Sequence, residues 1–452
     1  MGQVFGSTLK RLNALGYPGL ENPDLVMRSN FNPKQIMAQD TEVQYALPGT
    51  SGVPETHLPE KYNGLGYKNL IYMVIQILDF HQRWAEQSIR TPVHLVVVEE
   101  PEAHLHAQLQ QVFIAKMREI ISDESGLTTQ LLVTTHSSAI INESRFTPIR
   151  YFRRVRASSG KHESQVRDVS QMEAEDRGTE DFLLRYMKLT HCDLFFADAV
   201  ILVEGNVERL LVPSMIEKDA PSLTSKYLTI LEVGGAFAHK FSPLLGLLGI
   251  PALVITDLDS VTARVKVEQK KGSSGEGASK TSGGTKCLAS VAGAVTSNAT
   301  LRRWHPRKEG IGELLALDVE DKLMLLGEDV PSPSRVAYQT LTDVSWRGDT
   351  MKVAGRTFEE ALAFENLSWI TGDVERESLS LVSPSFDLKA ADLTGVINEV
   401  HSQVKKAHFK KTELALSLMM TTENWKTPTY IVEGLQWLAK VLEPLEEGKA
   451  SS

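Results

Sequence analysis

Three apolar runs rich in β-branched residues, AVILVEG (199–205), YLTILEVGG (227–235) and PALVITDLDS (251–260), are parted by stretches of helical spacing. Short continuous apolar runs of this kind are strands buried on both faces, and strands alternating with helices build an open parallel sheet. The fold class is therefore α/β, a Rossmann-like parallel sheet with helical additions. In such sheets ligands gather beyond the carboxyl ends of the strands. Glu204 closes the first run, Gly234-Gly235 the second, and Asp257 and Asp259 the third. Glu208 reaches the same point if a helix begins at Asn206.

Four carboxylates converging in one crevice repel each other unless cations sit between them. Hard oxygen ligands suit Mg²⁺ or Mn²⁺ and not zinc. Two such ions about 4 Å apart can activate a water and stabilise the leaving oxygen of a phosphodiester. The plainer reading is that Glu204 and Glu208 only favour a helix N-terminus while Asp257 and Asp259 belong to a turn. Their placement on neighbouring strands favours metal.

An earlier strand, helix and strand precede this half. Lys68 onward has helical spacing, LVVVEE after His94 reads as a fully buried strand, Ala107 to Ile121 is helical, and LLVTTHSSAI (131–140) reads as a second buried strand. The first forty residues lack a clear period, Gly49 to Gly66 is rich in turn formers, and the polar segment from Ala157 to Thr179 divides the chain. The expected domains are 1–189 and 190–452, the second carrying a flexible Gly/Ser/Lys insertion at 266–290 and C-terminal helices.

Composition adds limits. With 452 residues, 42% hydrophobic and 23% charged, the chain can bury two or three cores. Cys192 and Cys287 lie far apart and support neither a disulfide framework nor a zinc site. A net charge of -9 excludes coating nucleic acid by bulk charge, so DNA would be met at a local site, with Arg302-Arg303 and Lys405-Lys406 as local basic runs. No apolar run of about 18 residues and no signal-peptide pattern at Met1 are present, and the expectation is a cytoplasmic protein with no membrane partner.

Strand-Glu-Gly, a strand ending in Gly-Gly and strand-Asp-x-Asp together resemble the Toprim domain of topoisomerases, primases and certain nucleases. The second glutamate in LVEGNVE resembles the overcoming-lysogenization-defect (OLD) nucleases, as do TSNATLRRW (296–304), RTFEEALAFEN (356–366) and FKKTELAL (409–416). The resemblance implies two divalent ions held by Glu204, Glu208, Asp257 and Asp259, with Glu204 and Asp257 catalytic. It implies Lys411 as the catalytic basic residue, with Lys410 as the alternative, and Glu359 as a further ligand. Glu313, one turn after Glu309 in KEGIGELLAL, is another candidate ligand set against ordinary surface placement.

HLVVVEEPEAHLH (94–106) resembles the Walker B and D-loop segment of ABC-type ATPases. That implies Glu99 supporting a Mg²⁺ shell, Glu100 polarising the attacking water and His136 touching the γ-phosphate, with NGLGYKNLIY (63–72) at the signature position. His104 and His106 read as surface histidines. No G-x-x-x-x-G-K-[ST] occurs, so the first half resembles part of an ATPase, binding ATP only if a Walker A segment is supplied. LGYPGLENPDL and LPEKYNGLGYKNLIYM resemble the OLD class whose genes sit beside a UvrD-like helicase. The resemblance implies a metal-dependent DNA endonuclease of phage defence or DNA repair, a homodimer with a UvrD-like helicase partner. Two alternatives stand beside it. One is a haloacid-dehalogenase-type phosphatase using Asp257, Asp259, Asp373 and Glu377; the other is a non-catalytic recombination-mediator-like DNA clamp.

Overall fold

The structure, a computed structural model, describes residues 24–28, 42–47, 56–59, 64–121, 129–144, 148–156, 161–172, 183, 186, 192–233, 237–263, 284–327, 331–372, 379–421 and 425–443. The chain divides into two compact units, residues 1–171 with 184–193, and residues 172–183 with 194–452.

In the first unit β1 (Asp24–Arg28), β2 (Glu42–Leu47) and β3 (Thr56–Pro59) form an antiparallel sheet in chain order. β3 lies inside the stretch read as loop, because backbone pairing makes a strand there without an apolar pattern. Helix α1 (Leu65–Ala85) buries Leu70, Ile71, Val74 and Ile77, the three-and-four spacing of one helical face. Strand β4 (Leu95–Glu99), α2 (Ala107–Ile121) and β5 (Gln130–Thr134) follow, with β4 and β5 parallel and Glu99 beside Thr134. The helices cover one face of this pair, where Val96 packs with Phe113 and Met117.

The other face corrects the reading of two fully buried strands. Leu95 and Val97 are each 49% exposed and Leu132 is 52% exposed. Among the described residues only one face of the pair is covered. Helix α3 (Ser138–Glu143) is capped by Ser137. Strands β6 (Arg150–Arg156) and β7 (His162–Asp168) pair as an antiparallel hairpin, so part of the polar dividing segment is strand. Its positions are polar because they face water, which hides the alternation.

In the second unit the chain runs through β8 (Ala199–Val203), α4 (Asn206–Asp219), β9 (Leu228–Glu232), α5 (Ser242–Leu248) and β10 (Ala252–Ile255). The small pair β11 (Ser260–Val261) and β12 (Val295–Thr296) leads to α6 (Ile311–Leu315). Then come β13 (Leu323–Leu326), β14 (Ser332–Ala337) and a hairpin of β15 (Thr342–Trp346) and β16 (Asp349–Val353). Helices α7 (Phe358–Glu365), α8 (Leu367–Ile370), α9 (Leu393–Val404), α10 (Lys411–Met420) and α11 (Thr429–Val441) complete it.

The main sheet has the order β13-β14-β10-β8-β9, with β13 antiparallel and the rest parallel. All three runs that opened the sequence reading are strands of this sheet, and every residue of β8 and β10 is buried. The expected α/β class with a parallel sheet is what the chain adopts. Helix α11 reaches β10 closely because Gly434 leaves room: a Cβ there would stand 2.9 Å from Leu253 Cδ1. Of the Gly/Ser/Lys insertion, residues 266–283 lie outside the described residues. Within residues 284–290, Lys286 is bridged to Val261, and Cys287 and Ala289 are buried. No described helix is long and apolar enough to cross a membrane.

Candidate functional site

Beyond the carboxyl ends of β8 and β10 the acids gather as their strands dictate. Glu204 follows β8 directly, and the turn through Gly205 starts α4 at Asn206, which puts Glu208 in the helix's first turn. Asp257 and Asp259 follow β10, the neighbour of β8. Glu359 comes from the first turn of α7, and Lys411 from the start of α10, which packs on α4. Glu208, Asp257 and Glu359 are buried, at 6%, 6% and 1% exposed.

Glu204, Asp257, Asp259 and Glu359 have protein partners of their own. Glu204 Oε2 accepts from Thr256 Oγ1 (2.8 Å), the Asp257 N–H (2.8 Å) and Asn298 Nδ2 (3.4 Å). Asp257 Oδ1 accepts from Gln339 Nε2 (2.7 Å) and from the Phe358 N–H at the head of α7 (2.9 Å), where a helix dipole favours negative charge. Glu359 holds Thr357 Oγ1 and Lys411 Nζ, each at 2.7 Å. Asp259 pairs with Arg356.

Burial and crowding disfavour the charged acids. Burial, then the charge of Asp259, pushes the Glu204 carboxyl up. Burial, then Glu359, pushes Glu208 up to about 8. Burial, then Glu204 and Glu208, raises Asp257 well above the carboxylate range. Burial alone would lower Lys411, but Glu359, Asp257 and Glu208 outweigh it and hold the ammonium above the ordinary lysine range. The charged form of Lys411 is thus favoured by the acids around it.

The donor set is hard oxygen in a crowded, partly dry crevice, which fits Mg²⁺ or Mn²⁺ by chemistry. A ready-made cage is not what the acids form: among the described residues no three His, Cys, Asp or Glu side chains stand poised around one ion. The printed donors fall on one oxygen of Glu204 and one of Asp257, Oε2 and Oδ1, while Glu359 is bonded on both of its oxygens.

The remaining candidates divide. Lys410 pairs with Glu413 (2.6 Å) in solvent, away from the acids that Lys411 meets. Glu313 is exposed on the short helix α6, and Glu309 pairs with Arg302 at 2.9 Å. Glu313 is thus presented to water by its helix. Gly234-Gly235, Asp373 and Glu377 lie outside the described residues.

A family model described as AAA ATPase domain matches residues 9–141, and one described as overcoming lysogenization defect protein-like, TOPRIM domain, matches residues 195–259. Endonuclease GajA of Bacillus cereus is 28% identical over 443 residues, which cover 94% of this chain and 59% of that protein. The OLD nuclease of Thermus scotoductus is 25% identical over 209 residues, 45% of this chain and 36% of that one. The chain is homologous to the GajA and OLD nucleases. It spans about three-fifths of the GajA relative's length. Among solved structures, the C-terminal region of the Burkholderia pseudomallei OLD protein aligns at 19% identity and a TM-score of 0.27, covering 54% of this chain and 98% of that one.

Within the OLD-like Toprim domain and the residues that follow it, several supporting groups escaped sequence reasoning. Gln339, fully buried two residues after β14, also accepts the Leu258 N–H (2.7 Å) and donates to Tyr430 Oη (3.2 Å). Asn298, inside the TSNATLRRW run, bonds Thr256 Oγ1 (2.7 Å) and the Asp257 carbonyl (2.8 Å). Position after a buried strand was the one available signal for Gln339; β14, which begins Ser-Pro-Ser-Arg, did not read as a strand.

In the ATPase-like unit Glu99 ends β4, and Glu100 and His136 meet at one edge of the β4–β5 pair, with Oε1 and Nε2 3.7 Å apart. Both Glu100 and His136 are exposed. Glu102, unnoticed in the sequence, accepts from Thr135 Oγ1 (3.0 Å) and the His136 N–H (2.6 Å), so it sets the loop that carries the histidine. Gly66 of NGLG is needed for a different approach from the one expected: a Cβ would fall 2.2 Å from the His104 carbonyl oxygen. His104 and His106 are exposed, as read.

Proposed function

We propose that the chain is a divalent-metal-dependent DNA endonuclease that nicks or cuts phosphodiester bonds at Glu204, Glu208, Asp257, Asp259, Glu359 and Lys411. The observation that carries this reading is the buried acid cluster beyond β8 and β10, destabilised by its own charge and met by one lysine. Bound there, two Mg²⁺ or Mn²⁺ ions would supply water activation and stabilisation of the leaving oxygen. Gln339 and the head of α7 keep Asp257 in place. Lys411, once released from Glu359, offsets negative charge developing on the phosphate. Glu204, tied to the backbone of Asp257, keeps the two strand ends in register.

The names of the relatives support DNA as substrate. By the same analogy the setting is phage defence or DNA repair, with a homodimer and a UvrD-like helicase partner. The reading places an ATPase-like half over 1–189 and the nuclease half over 190–452. Glu99, Glu100 and His136 belong to an ATP site that works only with a Walker A segment.

The test is supercoiled plasmid incubated with the full chain in Mg²⁺ or Mn²⁺ and in EDTA. Relaxation or linearisation in metal, lost in EDTA and at least about a hundredfold slower in Glu204→Ala and Asp257→Ala, is expected. Intact plasmid with turnover of para-nitrophenyl phosphate would favour the phosphatase instead, and DNA binding without cleavage the clamp.

A further inference from the structure

Asp259 carries a backbone φ of +49°, in the left-handed region that is uncommon for non-glycine residues and that aspartate adopts more readily than most when local bonds favour it. Arg356 supplies most of that determination. The Asp259 N–H donates to the Arg356 carbonyl (3.0 Å), and Arg356 Nη2 donates to Asp259 Oδ1. Arg356 Nε donates to the Ser260 carbonyl (3.0 Å), so one guanidinium grips two consecutive residues. The Asp259 carbonyl is held from the other side by the Ser297 N–H (3.1 Å) and Oγ (3.0 Å).

Arg356 is itself fixed. It is 7% exposed, and its N–H donates to Glu360 Oε2 (2.8 Å). Glu360 is 1% exposed, and its other oxygen accepts from His401 Nδ1 (2.8 Å) on α9. A buried carboxylate bonded on both oxygens and a histidine from a separate helix thus converge on one arginine.

We propose that Arg356 is a positioning residue for divalent-ion binding: it holds Asp259 in the left-handed conformation, and Glu360 with His401 holds Arg356. This rests on the reading of Asp259 as a metal ligand. A bare counter-ion for Asp259 would compete with an incoming cation, so its removal would tighten metal binding. A positioning residue has the opposite sign, because its removal frees Asp259 to leave the left-handed conformation that presents its carboxylate.

The experiment is calorimetric titration of Mn²⁺ into the full chain and its variants, with circular dichroism to confirm folding. Arg356→Met should weaken Mn²⁺ binding about tenfold, the usual scale for groups that orient a ligand, and Arg356→Lys should restore part of it. In an Asp259→Ala background Arg356→Met should add little, since it acts through that aspartate. His401→Gln, at the far end of the relay, should weaken binding about threefold, and it carries the test if Arg356→Met does not fold. Unchanged or tighter binding in folded Arg356→Met, or unchanged binding in His401→Gln, overturns the inference. A parent chain that binds no Mn²⁺ would instead remove the metal-centre reading beneath it.

Discussion

Lys410 and Lys411 stand side by side in the sequence and in different company in the fold. One pairs with Glu413 in solvent; the other meets Glu359 among buried acids. If Lys411 supplies charge to the scissile phosphate, Lys411→Ala should slow single-turnover plasmid nicking about a hundredfold, with Lys410→Ala within about threefold of the parent. A second expectation concerns Glu208, whose carboxyl rises from 4.5 to about 8 in the fold. Between those values the folded chain holds a proton that the unfolded chain releases, so this contribution to stability falls as pH rises, by up to about 5 kcal/mol. Urea midpoints in EDTA should therefore drop between pH 5 and pH 8.5, and drop less in Glu208→Gln. At this scale the sequence disclosed the acids, because each sits where a buried strand or a helix start forces an orientation. It did not disclose Gln339, Asn298 or Arg356, polar residues from distant segments whose partners are set only by folding.

At the scale of elements, apolar runs were a good guide to which strands exist and a poorer guide to how many faces are covered. AVILV and ALVI are buried on both faces. LVVVE, with the same composition, is covered on one face among the described residues. Composition alone cannot separate these cases, since covering depends on helices packed from elsewhere. The difference has a stability signature. Val96→Thr places a hydroxyl in the packed face and should cost about 1–2 kcal/mol, whereas Val97→Thr on the open face should stay within about 0.5 kcal/mol, both read from thermal or urea unfolding of the full chain. Strands such as SPSRVA and HESQVRD went unread for the converse reason. Their pairing is carried by the backbone, while their side chains are polar or mixed.

At the scale of the whole molecule, the chain joins an ATPase-like unit to an OLD-like Toprim unit and aligns with about three-fifths of a GajA relative. Its net charge of -9 offers no general field for a polyanion, so the proposed DNA substrate would have to be held by local groups. The central claim is that the acids beyond β8 and β10 form a divalent-metal centre. Titrating Mn²⁺ into the full chain and counting bound ions by electron paramagnetic resonance tests it most directly. Two ions per chain, lost or reduced to weak binding in Asp257→Asn and Glu204→Gln, is the predicted result. Absence of Mn²⁺ binding at millimolar metal, or binding unaltered in both variants, would contradict it.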